Sequence, residues 1–297
     1  MTLSSALSDQ IRGAGLDPAD MEAVIKRSLA EDLAGGVDVT SVATVPATQQ
    51  SILKLVAREG GVVAGVLAAC AAFEVVGQGR IAVSANVVDG ASVDAGSCVV
   101  TATGPTVDLL TAERTALNLL CHLSGIASLT ARWVSAVAGT DAAIRDTRKT
   151  TPGLRSLEKF AVRCGGGVNH RMSLSDAALV KDNHVLAAGG VEAAFSAVRA
   201  MWPDLDVEVE VDSLEQLEEV LAAGADLVLL DNFTVAQTRE AVIMTAGRAR
   251  LESSGGLSLS VARDYAETGV DFLAVGALTH SAPVLDVGGD LEQVREA

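Results

Sequence analysis

Aromatic side chains are scarce: 5 Phe, 2 Trp and 1 Tyr make up 3% of a chain of 297 residues. That excludes an aromatic-rich binding surface. It leaves a 49% apolar complement dominated by Ala, Val and Leu, which suits helices packed closely on a sheet. Cysteine is equally thin. The 4 cysteines, Cys70, Cys98, Cys121 and Cys164, show neither a CxxC pair nor a Cys/His ligand spacing. A disulfide framework is therefore not expected, and reduced thiols in a cytoplasm are. Long apolar runs are missing too. The longest, Gly60–Phe73, is rich in Gly and Ala and falls short of the roughly 20 strongly apolar residues a membrane-spanning helix needs. The opening residues, with Ser4, Ser5, Ser8 and Asp9, lack the basic region and apolar core of a secretory signal. Basic residues are outnumbered, 22 against 38 acidic ones, for a net charge of −16. A general affinity for nucleic acid is excluded on that balance, because phosphates attract basic surfaces.

One stretch breaks the acidic rule. Residues 145–184 hold 8 Lys/Arg against 4 Asp/Glu. Of the five lysines in the whole chain, Lys149, Lys159 and Lys181 fall there. Cations concentrated inside an acidic protein point to an anionic small-molecule ligand; the plainer reading is a set of solvated helix charges.

The first 33 residues read as helical, with Asp17 and Asp20 placed to cap an apolar face of Met21, Val24, Ile25 and Leu29. Short β-like runs follow at Ile52–Ala57, Ile81–Val88 and Val99–Thr103, around an Ala-rich helix at Val66–Val76. This part is expected to form a small α/β sandwich. Two helices, Asp108–Leu123 and Leu129–Ala138, lead into a new regime in which strands alternate with helices. The expected strands are Ala142–Arg145, Ala178–Lys181, Val207–Val211, Leu227–Leu230, Ala249–Glu252 and Phe272–Val275. The helices between them are Leu154–Val162, Val191–Met201, Leu214–Ala223, Val235–Met244 and Ser258–Glu267. Such alternation predicts a parallel sheet. The fold expected is an N-terminal α/β sandwich over 1–117 and an incomplete, six- or seven-stranded β/α barrel over 118–297, with the last residues able to pack back on the first domain. No GxGxxG fingerprint supports the alternative of an open dinucleotide-binding sheet.

In parallel β/α folds ligands bind at the carboxyl ends of the strands. The early ends carry Thr147, Arg148, Lys149 and Lys181, with His170 and Arg171 in the loop between them. Arg offers a planar fork to a carboxylate, and Lys a compact charge. The middle ends carry Glu210 and Asp231, which suit ribose hydroxyls or a magnesium ion shared with phosphate oxygens. The late ends carry Ser254-Gly255-Gly256 and Gly276-Ala277, whose free N–H groups can cradle phosphate. Alone, the Val/Glu alternation at 207–212 reads as well as an edge strand with one wet face. The order of these groups along consecutive strands favours a site.

Seven segments carry a resemblance: Thr111-Ala-Glu-Arg-Thr-Ala-Leu-Asn118, Arg145-Asp-Thr-Arg-Lys-Thr150, Gly165-Gly-Gly-Val-Asn-His-Arg171, Lys181-Asp-Asn-His184, Glu208-Val-Glu-Val-Asp212, Leu230-Asp-Asn-Phe233 and Glu252-Ser-Ser-Gly-Gly256. Together they resemble the nicotinate-nucleotide pyrophosphorylase family, also called quinolinate phosphoribosyltransferase, and the likeness spans nearly the whole chain. It implies a pentosyltransferase of NAD biosynthesis, turning quinolinate and phosphoribosyl pyrophosphate into nicotinate mononucleotide, pyrophosphate and CO2. It implies a homodimer with shared sites, in which Arg114 reaches the partner's site. Arg148, His170, Arg171 and Lys181, with Thr147, would bind quinolinate. Lys149, Glu210 and Asp231, with Ser254, Gly255, Gly256, Gly276 and Ala277, would hold the phosphoribosyl donor. Glu210 and Asp231 would also carry Mg2+, directly or through water. As catalytic groups, Glu210 and Asp231 would stabilise an oxocarbenium-like state, and either Lys149 or water would protonate the carbanion left by decarboxylation. A paralogous transferase of molybdenum transport operons is the nearest rival, but an intact Thr147-Arg148-Lys149 with His170-Arg171 favours the quinolinate enzyme. A silent phosphate-binding barrel would need neither Glu210 nor Asp231.

Overall fold

The computed structural model describes residues 3–294. They form two compact units. The first unit holds the chain as far as Leu129, then Thr151–Gly165, then everything from Ser281. The second holds Thr130–Thr150 and Gly166–His280.

Helices α1 (Ser5–Gly13) and α2 (Pro18–Leu33) open the first unit. Asp17 caps α2 by accepting from the Ala19 N–H at 3.0 Å, Pro18 occupies the first turn, and Met21, Val24, Ile25 and Leu29 are all buried. After α3 (Val39–Thr44), strand β1 (Gln50–Ala57) buries Ser51, Leu53, Leu55 and Ala57, the period of two that a one-sided sheet requires. Next come β2 (Gly61–Val62), α4 (Val66–Gly77), β3 (Ala82–Ala85), β4 (Ser92–Val93) and β5 (Cys98–Pro105). Helix α4, its small residues buried nearly all round, packs on β3, β5 and α2.

The expected pair of helices beyond β5 is one helix, α5 (Thr106–Ala136). The expected boundary at 117 falls within it. Gly125 invites a break on sequence, but its missing side chain serves an approach: a Cβ there would stand 2.8 Å from Val284 Cα and 3.0 Å from the Pro283 carbonyl carbon.

The chain enters the second unit at Thr130 within α5, continues there with β6 (Ala143–Arg145) and returns to the first for α6 (Arg155–Cys164). Back in the second unit it runs β7 (Ala178–Val180), α7 (Asp182–Ala188), α8 (Val191–Met201), β8 (Val207–Val211), α9 (Leu214–Ala222), β9 (Leu227–Asp231), α10 (Val235–Thr245), β10 (Arg250–Ser254), α11 (Leu259–Ala266), β11 (Phe272–Ala274) and α12 (Ala277–His280). Six parallel strands lie in the order β6-β11-β10-β9-β8-β7. A single bridge from Arg145 to Val168 extends the β6 edge. Of the six or seven barrel strands expected, six are present, and the sheet does not close.

Strand β12 (Val287–Gln293) ends the described chain by pairing antiparallel with β1, completing the first unit's sheet in the order β12-β1-β5-β3. Neither β12 nor α7 is legible as an element in the sequence. Helix α7 has no buried residue, and β12 begins Val-Gly-Gly-Asp.

Candidate active site at the strand ends

Side chains two residues apart on a strand share one face. In β8, Val207, Val209 and Val211 are buried with the helices, so Glu208 and Glu210 turn together to the inside of the curled sheet, Glu208 deeper. In β10 the same rule puts Glu252 below Ser254. Two layers result, a mouth and a floor.

The mouth is a cavity of about 450 Å³. Thr147, Arg148 and Lys149 from the β6 loop line it, with His170 and Arg171 from the loop before β7. Lys181 after β7, Glu210 on β8, Asp231 on β9 and Ser254 on β10 complete its polar wall. An adjoining recess of about 210 Å³ is lined by Ser254, Gly255, Gly256, Gly276 and Ala277, together with Thr147 and Lys149. The structure thus brings together every residue expected at the site except Arg114. That residue lies in the first unit on α5, where it lines a separate cavity of about 500 Å³ with Asn118 and His122.

Charges at the mouth are incompletely matched. Burial, and then the neighbouring Arg148 charge, hold Arg171 below the ordinary guanidinium range. Its terminal Nη1 donates to the Ala177 carbonyl at 2.9 Å, but its Nε and that of Arg148 are buried with no hydrogen-bond partner. Buried charged donors without acceptors are costly, so this pair is built to receive an anion. Lys181 Nζ donates to Glu210 Oε2 at 2.9 Å. Asp231 accepts from the Asn232 side chain at 2.7 Å.

Two glycines shape the recess. Gly255 has φ +91°, and a Cβ on it would lie 2.7 Å from Asn232 Cγ. At Gly276 a Cβ would stand 3.0 Å from Lys149 Cδ, so the missing side chain makes room for the lysine stem.

The floor was not foreseen. Arg145 Nη1 donates to Glu252 Oε2 at 2.7 Å, lies 3.8 Å from Glu208 Oε1, and its guanidinium sits 4.8 Å from the centre of the Phe272 ring. Glu208 Oε2 stands 2.7 Å from His170 Nε2. Asp146, fully buried, accepts from the His170 N–H at 2.8 Å and from Asn169 at 2.5 Å. Burial, with the like charge of Glu208, pushes the Glu252 carboxyl from an ordinary 4.5 to about 8. Glu208 is only 3% exposed, so the wet-face reading of the Val/Glu strand fails. The available signal was the spacing itself, since carboxylates at i and i+2 of one strand must share a face, and Glu210 is already assigned to the interior.

His170, Glu208 and Glu252 also offer three buried ligand atoms within 4.8 Å of one another. Arg145 already neutralises part of that charge, which argues against a cation there.

The chain matches the family described as quinolinate phosphoribosyl transferase, N-terminal domain, over residues 38–124, and its C-terminal domain over residues 126–289. It is 57% identical over 271 residues to the nicotinate-nucleotide pyrophosphorylase [carboxylating] of Mycobacterium leprae, covering 90% of this chain and 95% of that one. The chloroplastic nicotinate-nucleotide pyrophosphorylase [carboxylating] of Arabidopsis thaliana is 39% identical, covering 90% and 82%. Among solved structures, NadC from Streptococcus pyogenes superposes with a TM-score of 0.89 at 39% identity, covering 94% of this chain and 99% of its own.

Proposed function

Since the chain belongs to the quinolinate phosphoribosyltransferase family, we propose that it transfers the phosphoribosyl group of phosphoribosyl pyrophosphate to quinolinate, yielding nicotinate mononucleotide, pyrophosphate and CO2. One observation carries the reading. Arg148 and Arg171, each with a buried unpartnered Nε, share a cavity with the carboxylates of Glu210 and Asp231. A dianionic ring acceptor needs the cations, and a ribosyl donor needs the carboxylates.

The residues divide the work. Arg148 and Arg171 take the acceptor's carboxylates and aim its ring nitrogen. Lys149 and the Ser254–Gly256 and Gly276–Ala277 backbone hold the donor's phosphates. As the ring nitrogen bonds to the anomeric carbon, the bond from that carbon to the pyrophosphate oxygen breaks. Glu210 and Asp231 stabilise the positive charge that develops on the sugar. Loss of the adjacent carboxylate as CO2 leaves its electron pair on the ring carbon, a carbanion stabilised by the neighbouring pyridinium nitrogen. Lys149 or water supplies the proton. Glu210 and Asp231 present hard oxygen donors at one cavity and fit Mg2+, which would offset the charge of the departing pyrophosphate.

Lys181 is the one acceptor ligand that pairs with a donor carboxylate, Glu210. Quinolinate binding would therefore have to draw Lys181 away, leaving Glu210 open to the sugar.

The separate cavity around Arg114 supports a homodimer in which each chain completes its partner's site. Arg114→Ala would then abolish activity, and mixing it with inactive Lys181→Ala would restore part of it through hybrid dimers; no recovery in a well-exchanged mixture would count against shared sites. Among the described residues no helix is long and apolar enough to cross a membrane, and we place the enzyme in the cytoplasm.

The deciding experiment is pyrophosphate release from phosphoribosyl pyrophosphate and Mg2+, with quinolinate or nicotinic acid as acceptor. Release with quinolinate alone is expected. Release with nicotinic acid alone would overturn the substrate assignment.

A further inference from the structure

The interior of a β/α barrel is ordinarily filled by layers of branched apolar side chains. Here the layer beneath the acceptor site holds Arg145, His170, Glu208 and Glu252, with relative exposures for the last three of 8%, 3% and 0%. Burying charged groups costs stability that a packed hydrocarbon layer would not. The arrangement around His170 shows what these groups accomplish.

The Arg171 backbone N–H donates to His170 Nδ1 at 2.7 Å. A ring nitrogen that accepts carries no proton, so the ring is the tautomer protonated at Nε2. That Nε2 stands 2.7 Å from Glu208 Oε2. The His170 backbone N–H is in turn held by buried Asp146 at 2.8 Å. The ring is thus held by a hydrogen bond at Nδ1 and by close contact with Glu208 at Nε2, where the oxygen is not aligned as an acceptor, although the residue reaches the cavity wall. On its other side Glu208 Oε1 lies 3.8 Å from Arg145 Nη1, which itself donates to Glu252 at 2.7 Å, so the guanidinium acts on Glu208 by charge alone.

Resting on the acceptor-site reading given above, we propose that His170 is a positioning residue and not a ligand of quinolinate. Glu208, braced by Arg145 and Glu252, fixes the imidazole so that Nδ1 anchors the Arg171 amide. That anchor sets where the Arg171 guanidinium meets Arg148. Acceptor affinity is thereby governed by groups at the bottom of the cavity whose task is to place Arg171.

Two substitutions separate positioning from contact. The amide oxygen of Asn falls near the place of the imidazole Nδ1, and that of Gln near Nε2. Measured by pyrophosphate release, His170→Asn is expected to keep the KM for quinolinate within about threefold, whereas His170→Gln raises it at least about tenfold, the cost of a lost hydrogen bond at a charged site. Equal effects, or the reverse ranking, would overturn the proposal. Glu208→Gln keeps an oxygen beside Nε2 and should behave as the parent. Glu208→Leu should raise the quinolinate KM at least about tenfold while the KM for phosphoribosyl pyrophosphate stays within about twofold. Both KM values moving together would indicate a merely structural role and overturn it.

A test free of both folding and activity uses the parent protein without ligand. With 4 histidines in the chain, 15N-imidazole spectra assigned through His170→Asn should show His170 protonated at Nε2 only. Protonation at Nδ1 would refute the proposal even if quinolinate proves to be the substrate. A failed function, by contrast, would show as no pyrophosphate release from the parent enzyme.

Discussion

The mouth and the floor of the barrel handle charge in opposite ways. At the floor, Arg145 is 2.7 Å from Glu252, and His170 is 2.7 Å from Glu208. Each of these contacts sets a group against a neighbour in the protein, although both oxygens of Glu208 and the Oε1 of Glu252 make no aligned hydrogen bond. At the mouth, Arg148 and Arg171 crowd one another and leave buried Nε atoms unmatched. A cation set against carboxylates is scaffold, and two cations set against one another are a place kept for an anion. Both layers come from the same strands: Glu208 and Glu210 differ by two residues on β8, and Glu252 and Ser254 by two on β10.

That contrast can be broken by substitution. The largest effect should come from the mouth: Arg148→Ala or Arg171→Ala is expected to lower kcat/KM for quinolinate by about 10³-fold, or ~4 kcal/mol. Thermal melting of Arg148→Ala without ligand should be unchanged or higher, because one of two crowded cations has been removed. A melting loss as large as the kinetic one would show that these arginines are scaffold after all.

The floor should respond the other way. Arg145→Met leaves the buried carboxylate of Glu208 without its cation and Glu252 without its donor, and should cost about 3 kcal/mol in chemical denaturation. Denaturant midpoints equal to the parent's would remove the floor from the list of structural elements.

A smaller effect is carried by pH. With its carboxyl raised to about 8 from an ordinary 4.5, Glu252 keeps in the native state a proton that the unfolded chain has released. The stability that proton contributes is complete below the unfolded value and is lost as pH climbs toward the native one. Between about pH 6 and pH 8 the loss should be ~2 kcal/mol, at 1.36 kcal/mol for each pH unit. Glu252→Gln, neutral throughout, should flatten the curve over that window. A parent curve already flat there would deny the raised value.

The smallest effect is expected from an exposed pair. Lys54 and Glu292 lie 2.8 Å apart with about half of the glutamate's surface open to solvent, and Lys54→Ala should leave the denaturation midpoint where it is in the parent.

Much of this was legible in the chain. Val207–Val211 and Val191–Met201 carry their own periodicity, and the structure keeps both ranges unchanged. The mouth was readable because its residues sit at strand ends, a position fixed by local sequence. What escaped depends on remote partners. The continuity of α5 hinges on Gly125 meeting Pro283 and Val284. Strand β12 is specified less by its own pattern than by β1, where Lys54 meets Glu292 and Arg58 meets Asp290 at 2.5 Å. The Arg145–Glu252 pair joins residues 107 positions apart, and nothing local to either announces the other.

The central claim is that Arg148 and Arg171 exist to hold a dianion. Titration calorimetry with quinolinate and with nicotinate, on the parent and on Arg148→Ala, tests it most directly. The parent should prefer quinolinate by at least about 100-fold, since the second carboxylate engages a second buried cation. In Arg148→Ala that preference should collapse to within about tenfold. A preference unchanged by the substitution would contradict the account.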